Sequence, residues 1–343
     1  MKNKIKFSVI GFGRIGKRHS KIIYEYEFTD LISITDVAYS QFEESNNLDL
    51  EVDKFTSIEE FLEKDNNKSD IVCIATPNGT HTDYAVRLLN AGYHVLIEKP
   101  MGLSQEECLR VIGAQETSNK RVFVVKQNRY SPPSVWMKEM IEKKVIGDVL
   151  MVQVNCYWNR DGRYYSSSNW KGTRDLDGGA LFTQFSHFID LMYWVFGDIR
   201  NPKAIVKNFT HPDLIDFDDS GFAQFEFESG GIGSVNYSTS CWDKNMESSI
   251  TVIGKKGSFK VGGQYMNKVE YCHVEDYEMP ELPETNPPNN YGPYKGSAAN
   301  HHYVFENIVE TFAGRSKPTA SSFEGMKVVS IIERIYKAAK FIK

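Results

Sequence analysis

The chain has 343 residues, 41% of them hydrophobic and 25% charged, with a formal net charge of -5 at pH 7. Those fractions describe a folded globular protein long enough for two domains. The mild acidity and the lack of any basic run leave nucleic-acid binding without electrostatic support. No stretch reaches the ~20 apolar residues of a membrane span. The first residues run straight into a structured motif before a signal-peptide core could form, so a cytoplasmic protein with no membrane partner is expected. The five cysteines are scattered, without C-x-x-C spacing, which argues against a disulfide framework and a structural zinc site.

In chain order, "KIKFSVIGFGRIGKRHSKIIYEYE" reads as an apolar strand, a glycine-punctuated turn and a helix. "LISITD" supplies a second strand. "DIVCIATPNGTHTDYAVRLLNAGYHVLIEKP" repeats the grammar, with a helix stopped by Gly92 and a strand ending at Glu98 and Lys99. "RVFVVKQNR" adds one more strand. Strands alternating with helices over residues 1–126 predict an α/β, doubly wound parallel sheet of the Rossmann type. After the helix of "SPPSVWMKEMIEKKVIG", residues 127–343 change to strands joined by turns, an α+β domain with a large, mostly antiparallel sheet. Its main helix is expected from Gly178 to Gly197. The proline-rich stretch "MPELPETNPPNNYGPYKGSAAN" reads as a long loop before two closing helices.

Gly11, Gly13 and Gly16 form G-x-G-x-x-G directly after a strand and at the start of a helix. The first glycine allows the tight turn, the second lets the backbone approach a pyrophosphate, and the third allows close helix packing. The helix N-terminus faces the phosphate charge. Asp36 ends the next strand, about 20 residues beyond Gly16, where a carboxylate accepts hydrogen bonds from ribose hydroxyls. An acid there repels a 2'-phosphate, so NAD is favoured over NADP. The plain alternative is a glycine turn with no ligand.

Ligands of an open parallel sheet lie beyond the carboxyl ends of its strands, so "ATPNGTH" and "EKP" should border the cofactor. Lys99 is placed there by topology, where partial desolvation and a positive nicotinamide would make it a usable base. Arg160, Arg163 and Lys171 lie among aromatic residues in a turn-rich segment, suited to a diphosphate and a carboxylate. Tyr164, Tyr165 and Trp170 would supply apolar walls. The plain alternative is a charged, aromatic-rich surface loop. His187 and Asp190 share one helix face, so Asp190 would orient the imidazole or close a buried polar pair. The remaining histidines, His301 and His302 included, have no acid partner at metal spacing in the sequence, and no metal is expected.

"GFGRIG", "ATPNGTH", "EKP" and "DGGALFTQFSHFIDL", in this order, resemble the glucose-fructose oxidoreductase/inositol dehydrogenase (Gfo/Idh/MocA) family. The resemblance implies hydride transfer between a nicotinamide cofactor and a sugar or polyol carbon, and a C-terminal open sheet that mediates dimers or tetramers. It implies catalysis by Lys99 with His187 as companion. Many members carry an acid four residues before that histidine. Here the position is Thr183, which can hydrogen-bond a substrate hydroxyl but is a poor base.

"VVKQNRYSPP", "YWNRDGRYYSSSNWKGTRDLDGGAL" and "NNYGPYKGSAANHHYVFENIVETF" are similar to the branch that oxidises UDP-N-acetylglucosaminuronic acid at C3 for bacterial surface polysaccharides. That branch implies a UDP-sugar acid as substrate and, for some members, a 2-oxo acid that takes the hydride back. Cofactor contacts implied by the motifs are Gly11, Phe12, Gly13, Arg14, Ile15, Gly16, Asp36, Thr76, Pro77, Asn78, His81, Glu98, Lys99, Gln127, Trp170 and Lys171. The substrate side implied is Asn128, Arg129, Arg160, Arg163, Tyr164, Tyr165, Thr173, Gln184, His187 and Tyr291, with Thr183 and Asp190 in support. The competing readings are the same chemistry on a free sugar, inositol or other polyol, and a non-catalytic NAD sensor or scaffold.

Overall fold

The structure, a computed structural model, describes residues 4–38, 52–292 and 294–342. Their contacts define two compact units, Met1–Val125 with His301–Met326, and Lys126–Asn300 with Lys327–Lys343. The chain first crosses from one unit to the other between Val125 and Lys126, where the expected boundary lay after residue 126. The segment 301–326, expected in the second domain, makes its contacts with the first.

In the first unit, β1 (Ile5–Ile10), β2 (Thr29–Thr35), β3 (Asp53–Phe55), β4 (Ile71–Ile74), β5 (His94–Ile97) and β6 (Val122–Val124) form one parallel sheet. Its order is β3-β2-β1-β4-β5-β6, which reverses direction between β1 and β4. A nucleotide crevice opens at such a switch point, beyond the strand ends. β4 is apolar and buried at every position because helices cover both faces of the sheet. Ser8, the polar residue in β1, is satisfied inside the core by the hydroxyls of Ser33 at 2.6 Å and Ser69 at 2.7 Å. The helix His301–Phe312 belongs here through its aromatic residues. Phe305 meets the Phe7 ring edge-on at 5.6 Å, and Phe312 packs against His94 at 5.0 Å.

In the second unit, β7 (Val149–Tyr157), β8 (Ile199–Lys207), β9 (Ser220–Phe227), β10 (Ile232–Ser238), β11 (Glu247–Gly254), β12 (Gly257–Gly262) and β13 (Lys268–Val274) share a sheet with β16 (Ala339–Phe341). The order is β13-β12-β11-β7-β10-β9-β8-β16. The pairs β7–β10 and β8–β16 are parallel and the others antiparallel. Burial alternates along β9 because one face is covered and the other is not. On the covered face Trp136, from helix Pro132–Glu142, meets Phe259 at 5.0 Å, and Phe188, from helix Ser186–Phe196, meets Trp158 at 5.7 Å. The other face exposes Met151, Ile205, Phe222, Ile232 and Ile253.

Two expectations change in detail. The helix expected over 178–197 is two, Ala180–Thr183 and Ser186–Phe196, interrupted at Gln184 and Phe185. Gly178 and Gly179 enter it at φ +89° and +129°, and a Cβ on Gly179 would lie 2.7 Å from the Tyr336 hydroxyl, so glycine is required there. The long polar stretch holds a hairpin of β14 (Pro288–Asn290) and β15 (Lys295–Ala298).

Candidate active site

The cofactor half is built at the end of β1. Gly11 has φ +90°, and a Cβ on it would lie 2.5 Å from the Ala75 carbonyl oxygen. A Cβ on Gly16 would collide with the Gly11 carbonyl oxygen, while one on Gly13 would meet nothing within 4 Å. The first and third glycines therefore serve packing, and the second faces open space at the N-terminus of helix Arg14–Glu25. Asp36 Oδ2 accepts the Phe12 N–H at 2.6 Å, and Oδ1 accepts the Ala38 N–H at 2.8 Å. The carboxylate is thus fixed at the edge of the glycine turn with lone pairs left for ribose hydroxyls. These features fit NAD.

Beyond β4, Thr76 Oγ1 lies 2.7 Å from Thr80 Oγ1, and Asn78 is buried in the short turn Asn78–Thr80. His81 was expected to touch the cofactor. Instead it is 1% exposed, with Nδ1 2.7 Å from the Pro100 carbonyl oxygen and Nε2 2.8 Å from that of Thr76. Glu98 is likewise turned inward. Its Oε2 accepts the Lys99 N–H at 3.1 Å, and its Oε1 faces His19 Nε2 at 3.0 Å and His301 Nε2 at 3.9 Å. The imidazoles and Lys99 hold this buried carboxylate far below the usual carboxylate range against the opposing effect of burial. Burial pushes His301 down to about 3, so its ring is neutral. The expectation that His301 has no acid partner is corrected by this packing, which brings Glu98 to it from another part of the chain. Lys99 is half-buried at the end of β5.

In the second unit, His187 is the second residue of helix Ser186–Phe196 and is buried. Asp190, expected to orient it, makes a two-pronged ion pair with Arg129 at 2.8 and 2.9 Å and lies 3.4 Å from Lys126. All three side chains are buried, and the two cations hold the Asp190 carboxyl below its ordinary pKa. Arg129, expected at the substrate, therefore spends its charge on Asp190. Gln127 Nε2 donates to Ser297 Oγ at 3.3 Å. Gln127 Oε1 and Asn128 Oδ1 are buried acceptors with no hydrogen-bond partner among the described residues.

The arginine-rich segment departs most from expectation. Arg160 is buried, and its guanidinium donates to Gln184 Oε1 at 2.8 Å and to the carbonyls of Asn159 at 2.6 Å and Lys295 at 3.1 Å. The rings of Trp158, Tyr164 and Tyr294 surround it at 4.7, 5.4 and 4.9 Å. Arg163 is paired with Asp161 at 2.7 Å and Asp243 at 3.2 Å. The protein thus supplies Arg160 with neutral acceptors and Arg163 with two carboxylates. Tyr164 and Tyr165 are core residues with Ile215 and Phe217 rather than exposed walls. Lys171 Nζ lies 2.7 Å from Ser167 Oγ and 4.3 Å from the Tyr164 ring centre. Trp170 is half-buried, Thr173 Oγ1 donates to the Trp170 carbonyl, and Tyr291 packs on Tyr294 at 5.3 Å.

Asp177, which sequence reasoning passed over, is buried and accepts the Gly172 N–H at 2.9 Å and the Thr183 hydroxyl. Its position just before the Gly-Gly turn was the only available signal.

Comparison with known proteins agrees with this architecture. Residues 5–126 match the oxidoreductase family domain with an NAD-binding Rossmann fold, and residues 135–260 match the GFO/IDH/MocA C-terminal domain. The WlbA dehydrogenase of Chromobacterium violaceum, solved with NADH and UDP-GlcNAcA, is 28% identical with a TM-score of 0.88, over 98% of this chain and 94% of that one. Its counterpart from Bordetella pertussis, solved with the same pair, is 29% identical with a TM-score of 0.88, over 98% and 96%. Inositol 2-dehydrogenase of Salmonella typhimurium is 26% identical over 197 residues, 57% of this chain and 55% of the relative. Oxidoreductase P35 of Formosa agariphila is 28% identical over 207 residues, 59% and 64%. The chain thus spans less than two thirds of the length of these two curated relatives. With both domains matched in order, the chain belongs to the GFO/IDH/MocA family of oxidoreductases with an NAD-binding Rossmann domain.

Proposed function

We propose that the chain is an NAD-dependent dehydrogenase that oxidises the C3 hydroxyl of UDP-N-acetylglucosaminuronic acid in the synthesis of surface-polysaccharide precursors. The observation that carries this reading is the likeness, over nearly the full length of both chains, to two dehydrogenases solved with NADH and UDP-GlcNAcA. The buried, unpartnered amide oxygens of Gln127 and Asn128 support it, since a sugar hydroxyl or acetamido N–H would satisfy them.

NAD, when bound, supplies the hydride acceptor. Lys99, assisted by His187, takes the hydroxyl proton, while positioning of the sugar carbon supplies much of the acceleration. We assign the diphosphate to the basic segment that carries Arg160, Arg163 and Lys171. The mechanism uses no metal ion. We further propose a homo-oligomer, dimer or tetramer, formed through the uncovered sheet face, where Ile232, Met151 and Ile253 are cross-strand neighbours. Return of the hydride to a 2-oxo acid is part of the same reading.

A second reading, oxidation of a free sugar or polyol, is favoured by the ion pairs of Arg163 with Asp161 and Asp243, which leave less positive charge for a nucleotide. The experiment is NADH formation over a panel of UDP-sugar acids, neutral UDP-sugars, free sugars and inositol. The proposal expects turnover on the UDP-sugar acid and its loss by orders of magnitude in Lys99→Met, with NAD binding retained. Preference for a free polyol establishes the second reading. Silence across the whole panel leaves a non-catalytic NAD sensor.

A further inference from the structure

His81 sits where two loops of the cofactor half come together. It opens the helix His81–Asn90, directly after the loop that leaves β4. The turn that leaves β5 packs against the same place, for a Cβ on Gly102 would lie 2.6 Å from Thr82 Cγ2. The imidazole spans the two, Nε2 toward the Thr76 carbonyl and Nδ1 toward the Pro100 carbonyl, at 2.8 and 2.7 Å.

A neutral imidazole has one N–H and one lone pair, and a carbonyl oxygen only accepts. A neutral His81 would therefore aim a lone pair at one of the two oxygens from hydrogen-bond distance, in a place with 1% exposure and no room for water to intervene. An imidazolium donates to both, and both lengths fall in the 2.7–2.9 Å range of charge-assisted N–H to oxygen bonds.

The surrounding charges permit it. Glu98 is the anion that faces His81 from the end of β5, and Lys99 is the cation on the same turn. His19 from helix Arg14–Glu25 and His301 from helix His301–Phe312 contact Glu98, and His301 stays neutral, so it does not consume that charge. On its own helix, Asp83 and Arg87 are directed to Arg110 and Glu59. Burial pulls the His81 imidazole toward neutrality, while Glu98 and the two carbonyls oppose it. The two short contacts decide between them.

We propose that His81 is an imidazolium and a positioning residue for Lys99, its two N–H groups tying the Lys99–Pro100 turn to the Thr76–Pro77 loop. The inference rests on the reading of Lys99 as the group that takes the substrate proton. It has a further consequence, because a fixed cation beside Lys99 favours the neutral amine that a base requires.

The test has two parts. In protein labelled with 15N-histidine, assigned by elimination with single-histidine variants, both ring nitrogens of His81 carry a proton at pH 7.5, where a free imidazole is mostly neutral. A bare nitrogen at that pH overturns the proposal without touching the assignment of Lys99. In His81→Gln, which keeps one amide donor, kcat falls on the order of 10²-fold, the loss expected when a catalytic group is misplaced by about 1 Å. NAD affinity is nearly unchanged, and the acidic limb of the pH profile moves to higher pH. A His81→Gln enzyme that folds and keeps the wild-type limb and kcat also overturns it. Full activity in Lys99→Met would instead remove the underlying reading and leave the nitrogen protonation standing.

Discussion

Thr183 donates its hydroxyl hydrogen to Asp177, to the carboxylate and, at 2.9 Å, to the backbone carbonyl. The residue expected to meet a substrate hydroxyl is instead a strut, and the acid absent from its position stands six residues upstream, behind it. Asp177 in turn accepts the Gly172 N–H, so the pair closes the loop that leads into the Gly-Gly turn and the helix of His187.

Removing that donor leaves a buried carboxylate short of a partner, which costs about 1–3 kcal/mol. Thr183→Val should lower the unfolding free energy by this amount in urea titrations, and Thr183→Ser should restore most of it. If Thr183→Val unfolds like wild type but raises KM for the sugar, the hydroxyl serves the substrate after all.

The first half of the site was legible because its signals are local. Gly11, Gly13, Gly16 and Asp36 are bound by backbone geometry to one strand–turn–helix unit, and Lys99 follows from the rule that ligands sit at strand ends. The partners of buried charges were not legible. His19, Glu98 and His301 meet only through the packing of three elements far apart in sequence. Arg160 draws its partners from Gln184, Asn245 and Lys295, and looked free for a diphosphate only because periodicity reveals which face a residue occupies and not what waits there. The broken helix at Gln184 and Phe185 was hidden for a related reason. Gln184 bridges Arg160 and the Tyr164 hydroxyl, a tertiary contact that local propensity does not encode.

Two buried groups give opposite dependences of stability on pH. Burial raises Asp218 to about 6, although Tyr237 donates to its Oδ2 at 2.5 Å. The folded state then holds this proton more tightly than the unfolded chain, whose aspartates titrate near 3.9. The stability it contributes is present below pH ~4 and is lost as pH rises through 6. His301, depressed to about 3, contributes stability that is present above the ordinary imidazole value of ~6.5 and is lost as pH falls toward 3. Between pH 4 and 6 the two slopes oppose each other in the wild type. Asp218→Asn removes one of them, so its stability relative to wild type should rise by about 2 kcal/mol from pH 4 to pH 7. Urea unfolding at unit pH steps reads this directly, and a difference that stays flat across the range would show that Asp218 ionises at its ordinary value.

We propose that Asp36 carries the preference for NAD and has two tasks. Its carboxylate accepts N–H groups from Phe12 and Ala38, which fixes the edge of the glycine turn, and in this proposal the same oxygens accept from the adenosine ribose. A hydrogen bond to a charged acceptor contributes about 1.5–3 kcal/mol, so loss of the ribose contacts should weaken NAD by roughly 10- to 100-fold. Asp36→Ser keeps a small oxygen for the turn while removing the charge that repels a 2'-phosphate. Its expected signature is therefore weaker NAD, stronger NADP and an unchanged limiting rate with the better cofactor. Titration of both dinucleotides by protein fluorescence, together with kcat for each, separates the tasks. If both cofactors weaken equally, Asp36 acts only as a brace for the turn, and the preference for NAD has to be sought in other residues.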